Sequence, residues 1–293
     1  MKLKLLPVAG ALVGLSLIAG AWSSPTGEHH VWLSSELIGM KVLSTTGDSL
    51  GKIEDIVLHP NGEASYAVLS FGGWLGMGDK LFAMPWSVLR SVEADTAKKD
   101  SARSLVLPLS KERFKTAPGF EPKSWPNTAN PDWTKDIDAF YVGDLNPDTN
   151  RPINASAKTS VMTWRVTELK GSNVTTPSGD KLGDLKELAI DGNGRVCYAA
   201  VSVGGFLGLG DKLVAVPWDS FKFTMAGEKL DKKVITLAST KKQLEDAPEF
   251  KLGKDHCVEM CDPKYIGTVY SHFSCPMYWG APKAVPVKGE SKK

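Results

Sequence analysis

The sequence predicts a mainly β protein: two tandem small antiparallel β-barrels, each with a short C-terminal helix, followed by an irregular cysteine-containing tail. Three observations carry this. The chain repeats itself at an offset of 132 residues. Each copy is a series of short apolar or alternating segments separated by glycine and asparagine turns. Each copy also closes on a short polar stretch that ends in Ala-Pro.

The offset aligns Trp32 with Trp164 and Trp86 with Trp218 without a gap, and 25 of the 55 paired positions are identical. Among them are Glu36/Glu168, Gly47/Gly179, Asp48/Asp180, Leu50/Leu182, Gly51/Gly183 and Tyr66/Tyr198. A period this long marks duplicated domains and not a solenoid. The expected boundaries are 32–120 and 161–252 for the two barrels, 121–160 for a linker and 253–293 for the extension.

The elements follow in order. Lys2 and Lys4 precede the apolar run LLPVAGALVGLSLIAGAW and the small-x-small triplet Ala19-Gly20-Ala21, so residues 1–21 have the form of an export signal. The run is also nearly long enough to span a bilayer as a retained anchor. Cleavage after Ala21 would bring the formal charge of +2 to about zero, which removes the drive toward nucleic acid. In LGKIEDIVLHP the apolar positions suit a strand with two differently buried faces. Asn61-Gly62 and Asn193-Gly194 predict tight hairpins with both turn residues at positive φ. ASYAVLSF and VCYAAVSV supply the next strands, KLFAMP and KLVAVP the ones after. The helices are KERFKTA and TKKQLEDA. His59 borders a turn and becomes Asp191 in the second copy, which suggests a surface position. The linker is dense in Pro, Asn and Asp, while Trp125, Trp133 and Tyr141 suggest that part of it packs on a barrel.

Two motifs imitate active sites. GGWLGMGDKLFAMPW at 72–86, repeated as GGFLGLGDKLVAVPW at 204–218, has the glycine spacing of a phosphate loop, but Asp79 and Asp211 stand where lysine belongs. A strand-like run ending in proline follows, not a helix, so nucleotide binding is not expected. Gly72, Gly73, Gly76, Gly78 and Asp79, with Gly204, Gly205, Gly208, Gly210 and Asp211, instead suit a strand-to-strand turn. GDSLG at 47–51 imitates a nucleophile elbow, but it leads into a strand and its second copy carries Lys181 in place of Ser49. Neither copy contains a catalytic triad or placed carboxylate pair, so no enzyme activity is expected.

The combination of GDxLGxxxD/E, a hairpin and GGxLGxGDKLxAxPW resembles the PRC-barrel family. That domain is named for the H subunit of photosynthetic reaction centres and also occurs in a ribosome-maturation factor. The resemblance covers about residues 35–120 and 166–250. It implies a small, strongly bent antiparallel barrel used in protein contact and assembly, with no catalytic residue. The export signal departs from the best-known members and points to the periplasm or envelope of a bacterium.

Past the second barrel, DHCVEMCDPKYIGTVYSHFSCPMYWG has no counterpart in the sequence after the first. Cys257, Cys261 and Cys275 fit one disulfide with a thiol left over or paired to Cys197, itself expected as a buried thiol. Alternatively, His256, Cys257, Cys261, His272 and Cys275 form a soft set suited to copper or zinc. Otherwise no cofactor is expected. The expected role is a non-enzymatic scaffold whose partner is a protein, membrane-associated or another copy, and not nucleic acid. Trp74, Met77, Phe206 and Leu209, at the glycine-turn tips, either contact that partner or cap the barrel cores.

Overall fold

The computed structural model describes residues 31–71, 80–92, 104–145, 162–204, 212–227, 232–250 and 262–277. The first repeat comprises β1 (Val31–Leu33), α1 (Ser34–Leu37), β2 (Lys41–Leu43), β3 (Ser49–Leu58), β4 (Ala64–Ser70) and β5 (Leu81–Pro85). It continues with β6 (Arg90–Val92), β7 (Ser104–Val106), α2 (Lys111–Phe114), β8 (Gly119–Phe120) and α3 (Pro131–Leu145). The second comprises β9 (Trp164–Arg165), α4 (Val166–Leu169), β10 (Asn173–Thr175), β11 (Lys181–Asp191), β12 (Val196–Val203) and β13 (Lys212–Pro217). Then follow β14 (Phe221–Ala226), β15 (Lys232–Leu237), α5 (Lys241–Glu245) and α6 (Pro263–His272).

Each repeat is a curled sheet. The orders are β6-β7-β2-β3-β4-β5-β8 and β13-β12-β11-β10-β15-β14. Pairing is antiparallel as expected, except that β2 runs parallel to β7 and β10 parallel to β15, where the last hairpin of each repeat returns to its first long one. At the second glycine of GDxLG the long strand of each repeat passes from pairing with one neighbour to pairing with the next. A Cβ on Gly51 would sit 2.3 Å from the Ser70 carbonyl oxygen, and one on Gly183 would sit 2.0 Å from that of Ser202. Only glycine lets the two backbones approach so closely.

β4 is buried at every position but its last, and β12 at all eight. Such strands need cover on both faces. The barrel interior covers one; α3 and α6 contribute to covering the other. Tyr66 meets Trp133 of α3 edge to face at 5.5 Å, and Tyr198 meets Tyr265 of α6 at 6.3 Å. Asn130 and Asp262 cap these helices by accepting from the amides of Asp132 and Lys264, and Pro131 and Pro263 follow them at the same offset of 132. Thus α6 is the counterpart of α3, and the segment that matched nothing by sequence completes the second repeat. The expectation of an irregular tail is corrected accordingly over 263–272. Trp125, Trp133 and Tyr141 pack on the core as expected, Tyr141 with no exposure.

Two further expectations are corrected. The Asn-Gly hairpins are three-residue loops, 60–62 and 192–194, in which only the second glycine-bearing position is left-handed: Gly62 and Gly194 both have φ +85°. His59 N–H donates to the Glu63 carbonyl and Gly62 N–H to that of His59, a type I turn followed by a glycine bulge. Pro60 and Gly192 supply the extra residue. His59 is buried, 6 % exposed, and not on the surface. Asp191 in its place accepts from the amides of Asn193 and Arg195. In the first repeat Asn61 accepts from the amide of Glu63, which frees position 59 from needing an acceptor.

Neither His59 ring nitrogen has a hydrogen-bond partner among the described residues, and burial holds its pKa below the ordinary 6.5 despite the charge of Glu63. A histidine lowered in this way must lose its proton to fold, so stability is full above 6.5 and falls as pH drops through 6.5 toward the folded value. Urea unfolding between pH 7.5 and 5 is therefore expected to show a loss of stability that His59→Leu removes. An unchanged pH slope in the variant would contradict this.

Candidate interaction site at the repeat junction

The first strand of each repeat lies in the sheet of the other. β1 pairs with β11 through Val31↔Asp191, Trp32↔Ile190 and Leu33↔Ala189. β9 pairs with β3 through Leu58↔Trp164 and Val57↔Arg165, the same register at the offset of 132. The repeats have exchanged their leading strands about a pseudo-twofold axis. At its centre the two hairpins meet: Ala64 N–H donates to the Gly194 carbonyl, Val196 N–H donates to that of Gly62, and Glu63 lies opposite Arg195.

The Pro-Trp motif serves this contact. Each tryptophan opens a one-turn 3₁₀ helix, Trp86–Val88 and Trp218–Ser220, and lies on the hairpin glycine of the other repeat. A Cβ on Gly62 would stand 2.6 Å from the Trp218 ring, and one on Gly194 would stand 2.4 Å from the Trp86 ring. The Trp218 indole N–H also donates to the Pro60 carbonyl at 2.9 Å.

Buried carboxylates complete the junction. Asp55 of β3 accepts from the hydroxyl and amide of Thr167, at the start of α4, with the Arg165 guanidinium 3.9 Å away. Its counterpart Glu187 of β11 accepts from the Ser34 hydroxyl and the Ser35 amide at the start of α1, and from Lys170 at 3.1 Å. Each carboxylate thus holds the first helical turn of the other repeat and satisfies backbone donors that such a turn leaves open. Their titration differs. Burial raises the Asp55 carboxyl above its ordinary value, and the bonds from Thr167 and Ile56 with the charge of Arg165 offset this only in part. At Glu187 burial acts in the same sense, but the bonds from Ser34, Leu188 and Ser35 and the charge of Lys170 outweigh it, and its pKa is lowered.

Beside the junction two clefts of 390 and 670 Å³ share Trp125 and Arg165 in their walls. The Arg165 guanidinium lies 4.3 Å over the Trp125 ring and is bound to Glu168, which also binds Lys233. With Arg165 and Lys233 paired to Glu168, this wall offers a mixed surface.

Of the residues singled out by sequence, Trp74, Met77, Phe206, Leu209, Gly72, Gly73, Gly76, Gly78, Asp79, Gly205, Gly208, Gly210 and Asp211 lie outside the described residues, as do residues 1–21 and His256, Cys257 and Cys261. Gly204 has φ +83°, in keeping with a turn. Cys197 is buried as expected, and no disulfide joins it to Cys275 among the described residues. Cys275 packs beside the cluster under α6, and Tyr270 donates to the Cys197 carbonyl at 2.7 Å. His272 Nε2 lies 2.8 Å from the Gln243 carbonyl. The junction residues were missed by sequence reading, although a signal existed: Asp55 and Glu187 align, each a carboxylate amid strand apolars, as do the hydroxyls of Ser35 and Thr167.

Fold and junction together define the class: a duplicated small-barrel protein whose two repeats form one pseudosymmetric body. The PRC-barrel domain model matches residues 31–104 and 163–244, more than half of the chain, and the protein belongs to the PRC-barrel domain family. No curated protein matches it.

A carboxylate with a lowered folded pKa contributes stability that is full above its ordinary 4.5 and is lost as pH falls through the lowered value. Glu187→Gln is therefore expected to cost about 1–3 kcal/mol at pH 7 and progressively less below pH 4. Asp55 has the opposite sign, since its raised value makes ionisation a cost, so Asp55→Asn is expected to be milder at pH 7 than in acid. Gly62→Ala, which combines left-handed backbone with the Trp218 clash, is expected to cost about 2–4 kcal/mol. Gly47→Ala, at φ +83° in open space, should cost only about 1–2. Urea unfolding of the four variants reads all of these.

Proposed function

We propose that this protein is an exported, non-enzymatic interaction module of a bacterial cell envelope, in which paired PRC barrels act as one rigid mount for a protein partner. The observation that carries this reading is that the two family domains are built into one body by reciprocal strand exchange. Such a body presents its loops in constant relation to one another, which is what an assembly platform needs and a flexible tandem lacks. The buried carboxylates support the same reading, because their bonds are spent on holding the two repeats together. The basic start and apolar run of residues 1–21 support export, through cleavage or as an anchor. The glycine-turn tips, with Trp74, Met77, Phe206 and Leu209, are the proposed contact points.

The test is native intact mass spectrometry of the protein purified gently from its own envelope fraction, with a denatured control. The expected result is a chain shortened by its first 21 residues, or retained whole in the membrane fraction, carrying a stoichiometric protein partner that Trp74→Ala or Phe206→Ala releases. A cytoplasmic location sinks the envelope role. A lone chain with a stoichiometric copper or zinc adduct, lost in Cys257→Ser, would move the function to the extension.

A further inference from the structure

The junction contacts divide into those that any two repeats would make and those that only unlike repeats make. Tryptophan on hairpin glycine is common to both repeats, so shape does not discriminate. The axis does. The amides of Ala64 and Val196 bond to the carbonyls of Gly194 and Gly62, which makes Glu63 and Arg195 a non-hydrogen-bonded antiparallel pair. In such a pair the side chains leave the same face and stand closest together. Both are half-buried; Arg195 is held at 3.2 Å by Asp219 of its own repeat and Glu63 accepts from Asn61, so the two meet across the axis as facing charges and not as a bonded pair. On a twofold axis each position meets its own counterpart. Two first repeats would therefore set Glu63 against Glu63, and two second repeats would set Arg195 against Arg195.

The buried carboxylates discriminate in the same direction. In a pair of first repeats Asp55 would face Leu33 where Arg165 now stands, and would lose the cation. In a pair of second repeats Glu187 would face Val166 where Ser34 now stands, and would keep only the Thr167 hydroxyl and amide that now serve Asp55. The pairing of two first repeats leaves a buried carboxylate without its cation, and both like pairings place equal charges on the axis, which is the form specificity against a wrong partner takes.

We propose that the junction is a self-contained recognition surface in which each repeat selects the unlike repeat, with Glu63 and Arg195 as specificity determinants. The partner it fits, besides the repeat on its own chain, is the unlike repeat of a second copy of this chain. This stands independently of the envelope role.

The experiment uses the full chain with a protease site placed within 146–161, prepared in light and isotopically heavy forms. Each is folded, cleaved, mixed, unfolded in urea and refolded by dilution, and the pairs are weighed by native mass spectrometry. The expected result is one-to-one unlike pairs, with light and heavy halves freely mixed and like pairs rarer by about tenfold. Glu63→Arg, which makes the axis equal in all pairings, is expected to raise the like-pair share severalfold. Glu63→Gln should raise it less, and Glu63→Asp should leave it unchanged. Halves that fail to re-pair after cleavage would overturn the proposal. So would like pairs at the statistical half of the total, or a like-pair share that Glu63→Arg and Glu63→Gln both leave unmoved.

Discussion

Everything in this protein rests on the exchange of two short strands. β1 and β9 are only three and two residues long, too short to hold a sheet together by their own hydrogen bonds. They persist because the turn that follows each is tied down by a buried carboxylate of the opposite repeat, and because Trp32 and Trp164 of these strands are buried to 2 % and 1 % exposure. Burying a carboxylate is costly without partners, so Asp55 and Glu187 also enforce the arrangement: if the turn withdraws, the charge is stranded. Strand, turn, carboxylate and indole form one cooperative unit, made twice.

The duplication explains why the fold was largely legible in the sequence. The offset of 132 carried strand positions and turns from one copy to the other, and the closing helices followed at 130, so each weak local signal was read twice. What escaped was of two kinds. The equivalence of α3 and α6 rests on a cap and a proline, Asn130-Pro131 and Asp262-Pro263, with aromatic neighbours of different identity, too little for an alignment to register. The junction escaped for a deeper reason. Strand periodicity tells which face of a strand is buried and says nothing about which sheet receives it, so nothing around Trp32 or Trp164 pointed to the opposite repeat. The hairpin correction is of the first kind, since Asn-Gly is compatible with both two- and three-residue loops and the deciding residue was the one before it.

The two repeats are alike in architecture and unlike in chemistry where they meet. Aspartate faces threonine and arginine across one half of the junction; glutamate faces two serines across the other and takes its cation, Lys170, from its own repeat. The longer glutamate accepts from the hydroxyl one position earlier, on Ser34, whereas the aspartate accepts from that of Thr167. Such matched divergence is what linked copies permit and identical subunits do not, because a symmetric pair must use the same residues on both sides.

The exchange also bears on how the chain reaches its native state. Residue 31 pairs with residue 191, so β1 has no docking place as the chain leaves the ribosome until β11 of the second repeat has followed it. Pairings this distant in sequence raise contact order and slow folding. Until then the first sheet lacks its β9 neighbour, and an open edge of β3 must wait in solution. A chain wired in this way gains from folding only once both repeats have been made. Its topology suits synthesis followed by delayed, concerted closure and not stepwise folding from the N-terminus.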